Sequence, residues 1–126
     1  MKRTFIPFAL LVLAALALAV PAVQAKGGPG TRIALKGSSA FPGATGKAKF
    51  QNEGQRELEI EVEHVRRLAG KRVNFFVNST KVGSARISGL GAAQVNRRGS
   101  AFPAVHAGTR VKVKTTAGTT IVAGRF

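Results

Sequence analysis

The chain has 126 residues, and 20 basic against 5 acidic side chains give it a formal net charge of +15 at pH 7. It contains no Cys, Tyr or Trp, which excludes disulfides, lipid attachment to a cysteine and a cysteine nucleophile. Its length predicts one domain that buries a core without staples.

The N-terminus has the pattern of a secretory signal peptide. Lys2 and Arg3 precede a long apolar run that ends in a small-residue cleavage pattern. We expect residues 1–25 to form a signal-peptide helix that is cleaved after Ala25, and residues 26–30 to form a flexible leader. The protein is then secreted or periplasmic, without a stable membrane span after cleavage. The alternative is an uncleaved membrane anchor, because the apolar run nearly reaches the length of a bilayer span.

From residue 31 onward, apolar residues recur at every second position, which is the period of a half-buried strand. Leu58, Ile60 and Val62, for example, alternate with glutamates. The sequence predicts an all-β domain over residues 31–126, an antiparallel β-sandwich of seven to eight strands whose two sheets face each other. The strands are expected at 31–36, 46–51, 56–65, 71–78, 81–87, 91–96, 109–115 and 119–126.

The tetrapeptide SAFP occurs at residues 39–42 and again at 100–103. Each copy precedes a glycine and a predicted strand, but the flanking sequences diverge. Four shared residues favour two similar turns at the ends of the sheets, with an ancestral duplication as the alternative. Phe41 and Phe102 are expected to close the two ends of the core.

The positive charge predicts attraction to polyanions such as acidic glycans, anionic lipid headgroups or nucleic acid. Export and the absence of Tyr and Trp argue against specific nucleic-acid recognition. The alternative is that these side chains only solvate the strands and prevent pairing at sheet edges. The candidate contact residues lie in the predicted turns and on one strand: Arg66, Arg67, Lys71, Arg72, Arg97, Arg98, Arg110, Lys112 and Lys114.

All five carboxylates lie between positions 53 and 63, four of them on alternate residues of one strand. Residues on the same face of a strand are about 7 Å apart, so the row does not converge on a metal ion. We expect instead cross-strand ion pairs with Lys47 and Lys49 on one side and Arg72 on the other. No metal and no cofactor is predicted.

The residues available for catalysis are few. His64 and His106 are the only imidazoles, and His64 and its neighbour Glu63 point to opposite faces of a strand. No serine lies in a nucleophile-elbow sequence, so the protein is predicted not to be an enzyme. A sugar-binding domain would have to stack sugars on Phe, most of which the core requires.

The segments RVNFFVNSTKVG, FPAVHAGTRVKV and AGRF carry a further signal. With them, residues 31–126 resemble a group of small exported bacterial β domains, for which the resemblance implies a sandwich-like fold and no assigned activity. The matching positions are apolar, Gly and Pro, so they specify the fold and not a site.

The sequence therefore predicts a non-catalytic structural or interaction module of the cell envelope, with an unidentified envelope protein as its partner. It is expected to be a monomer and not to recognise nucleic acid specifically. The alternative is a basic, adhesin-like domain that binds an acidic polymer, and one continuous positive face would favour it.

Overall fold

A computed structural model describes residues 30–100 and 102–126 of the chain. Within this part the protein is all-β, as the alternation predicts. One 3-10 turn, at Arg66–Leu68, lies where the sequence predicts the end of a strand and a turn. The eight strands are β1 (Gly30–Gly37), β2 (Thr45–Glu53), β3 (Gln55–Glu63), β4 (Arg72–Val77), β5 (Thr80–Arg86), β6 (Ala93–Arg98), β7 (Arg110–Thr115) and β8 (Thr120–Arg125).

The strands form one continuous antiparallel sheet in the order β5-β4-β7-β8-β1-β2-β3-β6. This differs from the two separate sheets that the sequence predicts. The two four-strand halves are joined by a short pairing of β1 with β8, in which Lys36 opposes Ala123 and Gly37 opposes Val122. Alternation gives the face of each residue but not the neighbouring strand, so it cannot reveal this connection.

The sheet curls until it is nearly barrel-shaped and its edge strands β5 and β6 approach each other. A Cβ atom added to Gly83 of β5 would lie 3.0 Å from Cγ1 of Val95 in β6. The core fills the inside of this curved sheet, because every second side chain points inward. Its fully enclosed members include Leu58, Ile60, Val62, Val73, Phe75, Val77, Val111, Val113 and Ile121.

The two predicted end residues of the core, Phe41 and Phe102, are both buried, which confirms that part of the prediction. Phe102 meets Phe50 edge to face, with ring centroids 6.2 Å apart. Ile33, Phe50 and Val95 are only half-buried against the core.

The predicted signal peptide lies outside the described residues, as do residues 26–29 of the predicted leader. Gly30 is the first residue of β1, one position before the start of the predicted strand. Among the residues that the structure describes, no helix has the length and apolar character needed to cross a membrane.

Candidate polyanion-binding surface

The glutamates of β3 form a row on the outside of the sheet, which we call the acidic row: Glu57, Glu59, Glu61 and Glu63. On β2, Lys47 opposes Glu61 and Lys49 opposes Glu59. Nζ of Lys47 lies 3.8 Å from Oε1 of Glu61. The cross-strand ion pair predicted for Lys47 is therefore confirmed, and Lys49 has the predicted position opposite Glu59.

On its other side the acidic row faces β6, not β4. Arg98 opposes Glu57, and its Nη2 lies 3.7 Å from Oε2 of that glutamate. The side-chain amide of Gln94 donates a hydrogen bond to Glu59 over 3.1 Å. The expected pairing with Arg72 is therefore wrong, because Arg72 lies on β4, which is bonded to β5 and β7. β3 and β4 are consecutive in sequence but are not neighbours in the sheet.

Burial raises the pKa of Glu61 from its ordinary value of 4.5, and the nearby carboxylates of Glu63 and Glu59 raise it further. Lys47 opposes this shift by favouring the charged carboxylate. The acidic row is thus crowded with like charges, and its neighbouring cations offset the crowding only in part.

The rest of the sheet presents cations instead. Five adjacent strands, β5, β4, β7, β8 and β1, carry no Asp or Glu in the described chain. Their outward-facing cations form what we call the basic face: Arg32, Lys36, Arg72, Lys81, Arg86, Arg110, Lys112, Lys114 and Arg125. Lys112 and Lys114 are half-buried and the other seven are exposed.

Two cross-strand pairs on the basic face bring like charges directly opposite each other. Arg72 opposes Arg86, and Arg110 opposes Arg125. Such pairs destabilise a sheet. Arg86 donates a hydrogen bond to the carbonyl oxygen of Gly70 over 2.9 Å. This bond fixes the position of the Arg86 guanidinium but does not neutralise its charge. The basic face therefore lowers stability, and an anion that bound there would relieve the repulsion.

A shallow depression lies at the centre of the basic face, on the border of β7 and β8. Arg110, Lys112 and Arg125 line it together with Ala123 and Gly124. The small side chain of Ala123 lies between cations on both neighbouring strands, because it opposes Lys112 on β7 and Lys36 on β1. An extended anionic chain lying across these strands would meet several cations in succession.

Of the predicted contact residues, the structure places Arg72, Arg110, Lys112 and Lys114 together on the basic face. Arg66, Arg67 and Lys71 lie in and after the 3-10 turn that precedes β4. Arg67 has a structural contact: its guanidinium carbon lies 4.2 Å from the ring centroid of Phe41, and it donates to the carbonyl oxygen of Ala40 over 2.7 Å.

Arg97 and Arg98 lie on strand β6, whereas the sequence predicts them in a turn. The turn begins directly after Arg98, at Gly99, whose φ of +81° suits glycine. Because β6 is bonded to β3 and Arg98 faces Glu57, Arg98 borders the acidic row. Arg97 opposes Leu58 and therefore lies on the other face of β6. Neither arginine is part of the basic face.

Sequence reasoning missed five members of the basic face: Arg32, Lys36, Lys81, Arg86 and Arg125. All five lie in segments that were predicted as strands. The signal was therefore present for each strand, but only the strand order brings these residues onto one surface.

The imidazoles do not join the glutamates. Nδ1 of His64 lies 2.8 Å from the hydroxyl of Thr45, and His106 lies in the turn before β7, where its backbone N–H donates to the hydroxyl of Thr109. Glu59 and Glu61 line a surface depression with Lys47, Lys49 and Arg32, so the basic face borders the acidic row at Arg32. Throughout residues 30–100 and 102–126, no three metal-ligating side chains are grouped closely enough to hold an ion.

The fold and the surface together define an all-β protein with one strongly curved antiparallel sheet and a segregated outer charge. Comparison with known proteins adds no relative: no protein-family model, no curated protein and no solved structure matches this chain.

Proposed function

We propose that this protein is an exported, non-catalytic binding module whose basic face adsorbs an acidic polymer of the cell envelope. The observation that carries the proposal is the segregation of charge. Nine outward cations share five adjacent strands, while the carboxylates of the described chain lie on β2 and β3. A surface of one sign attracts a polyanion and releases its condensed counterions on binding.

The proposal favours the alternative from the sequence analysis, a basic domain that binds an acidic polymer, over a module with an unidentified protein partner. A sheet that used lysine and arginine only for solubility would mix the two signs, because nearby opposite charges pair favourably. Here the mixing is confined to the acidic row and its neighbours. The opposed arginines of β4 and β5 are better explained by an anionic ligand than by stability.

The non-catalytic part of the proposal rests on the side-chain inventory. His64 is engaged with Thr45, and Glu57, Glu59 and Glu61 face lysine, arginine and amide side chains. Export to the envelope and a monomeric state remain predictions from the sequence, and so does the resemblance to small exported bacterial domains.

Two matched double variants test the proposal. Lys112→Gln with Lys114→Gln removes two outward lysines from β7, and Lys47→Gln with Lys49→Gln removes two outward lysines with the same spacing from β2. The change in net charge is identical. Binding of the purified protein to a polygalacturonate column at low salt measures the effect.

We expect the β7 variant to elute at lower salt than the β2 variant, because the β2 lysines face glutamates and the β7 lysines do not. Equal shifts in the two variants would mean that only the net charge matters, and the basic face would then not be a binding surface.

A further inference from the structure

Phe76 differs from the other phenylalanines of the described chain. Phe41, Phe75 and Phe102 are buried in the core, and Phe50 and Phe126 pack against it. Phe76 follows Phe75 on β4 and therefore points outward. It is half-buried and lies on the basic face. An aromatic ring on the wet side of a strand is not needed for the core, so it is available to a ligand.

Three lysines lie around Phe76 on the outer face of the sheet. Lys112 on β7 and Lys81 on β5 directly oppose Phe76, and Nζ of Lys114 lies 5.1 Å from its ring centroid. The aromatic face is negative and holds the Lys114 ammonium by a cation–π contact. The ring thus concentrates positive charge beside an apolar surface.

Neutral polar groups complete the surroundings. Asn74, two residues before Phe76, shares its outward face, and its register partners are Lys114 on β7 and Ser84 on β5. An amide supplies both donors and acceptors, and a hydroxyl supplies one donor and two acceptors. These groups suit the hydroxyls of a sugar, which a bare inorganic polyanion lacks.

We infer that Phe76, with Lys81, Lys112, Lys114 and Asn74, forms a subsite for one ring of an acidic polysaccharide, such as a uronate. This inference rests on the proposed function and names its ligand class. The C–H face of the sugar ring packs on the face of Phe76 that the Lys114 ammonium does not cover. The carboxylate lies among the lysines, and Asn74 bonds the hydroxyl groups.

The surroundings favour a sugar acid over a nucleic acid. Proteins that bind single strands stack successive bases on several aromatic side chains, whereas the described outer face of the sheet offers one phenylalanine that the core does not use. The three cations around it are lysines, while the arginines that match phosphate bidentately lie elsewhere on the basic face.

The test compares the wild-type protein with Phe76→Leu, which keeps apolar bulk but removes the aromatic face, and with Phe76→Tyr, which keeps that face. Affinity is measured by titration calorimetry for three probes matched in charge: an oligogalacturonate, a linear polyphosphate and an oligothymidylate. Thermal unfolding of each variant establishes that the domain remains folded.

We expect Phe76→Leu to weaken oligogalacturonate binding about 3- to 10-fold and to leave polyphosphate binding unchanged. Phe76→Tyr should bind like wild type. If Phe76→Leu lost affinity equally for oligogalacturonate and polyphosphate, or lost none for either, the subsite would be overturned. A larger loss for oligothymidylate would also overturn it and would assign the ring to nucleobases. If the wild-type protein bound none of the probes in a salt-dependent manner, the proposed function itself would fail.

Discussion

The guanidinium carbon of Arg56 lies 4.5 Å from the ring centroid of Phe102, and Nη2 of the same arginine donates to the carbonyl oxygen of Phe102. Arg67 contacts Phe41 in a similar way. Its guanidinium lies over the Phe41 ring and donates a hydrogen bond to the carbonyl oxygen of the preceding residue, Ala40. The two SAFP turns are thus each closed by an arginine. Arg56 lies near the start of β3 and Arg67 just beyond its end, so the two turns close opposite ends of the sheet.

The Arg56 contact leads to a stability prediction. Arg56→Ala removes both the cation–π contact and the hydrogen bond, and we expect it to lower the free energy of unfolding by about 1–2 kcal/mol. Arg56→Lys keeps the charge without the planar guanidinium and should recover only part of the loss. Urea denaturation measures both values. An unchanged midpoint for Arg56→Ala would show that the arginine does not hold the turn.

A second prediction concerns the close approach of β2 to β3. A Cβ added to Gly46 would lie 2.5 Å from the carbonyl oxygen of Glu61, so Gly46→Ala should cost about 1–3 kcal/mol of stability through overpacking. Gly43 is the matched control, because a Cβ there would have no neighbour within 4 Å. Gly43→Ala should leave the thermal midpoint unchanged or slightly raised. Equal effects of the two changes would contradict the register of β2 and β3.

The acidic row gives a prediction about pH. Because the folded-state pKa of Glu61 is raised, the fold binds this proton more tightly than the unfolded chain does. Its contribution to stability is therefore present at low pH and is lost as pH rises through the folded pKa. Glu61→Gln mimics the protonated form, so it should be more stable than wild type at neutral pH, and the difference should vanish in acid. A variant that is less stable at neutral pH would mean that the pairing with Lys47 outweighs the crowding.

The opposed arginines of β7 and β8 give a prediction that couples stability to binding. Arg125→Glu converts the repulsive pair with Arg110 into an attractive one, and should raise stability by about 0.2–1 kcal/mol. The same change places a carboxylate on the basic face and should weaken binding to acidic polymers. Arg125→Gln should lie between wild type and Arg125→Glu in both measurements. A stability gain without a loss of binding would remove Arg125 from the binding surface.

The sequence predicted the number and position of the strands because alternation is a local property. Leu58, Ile60 and Val62 are buried and their glutamate neighbours face outward, as expected from a period of two. The register of Lys47 with Glu61 was also predictable, since β2 and β3 form a hairpin. Local pattern therefore determined faces and hairpins.

The strand order was not predictable in this way. Arg72 was assigned to the acidic row because β4 follows β3 in sequence, but β6 takes that place in the sheet. Likewise Lys36 reaches the basic face only because β8 pairs with β1, and that pairing joins strands from opposite ends of the domain. Phe76 is outward by its position on β4, but only the pairing of β4 with β5 and β7 surrounds it with lysines.

The most direct test of the basic face is an NMR titration of the isotopically labelled protein with oligogalacturonate at low salt. The account predicts that amide shifts change along β4, β7 and β8, with the largest changes near Phe76, Lys112 and Arg125, and that they reverse when salt is added. Changes centred on β3 and β6, or small uniform changes over the whole sheet, would contradict it.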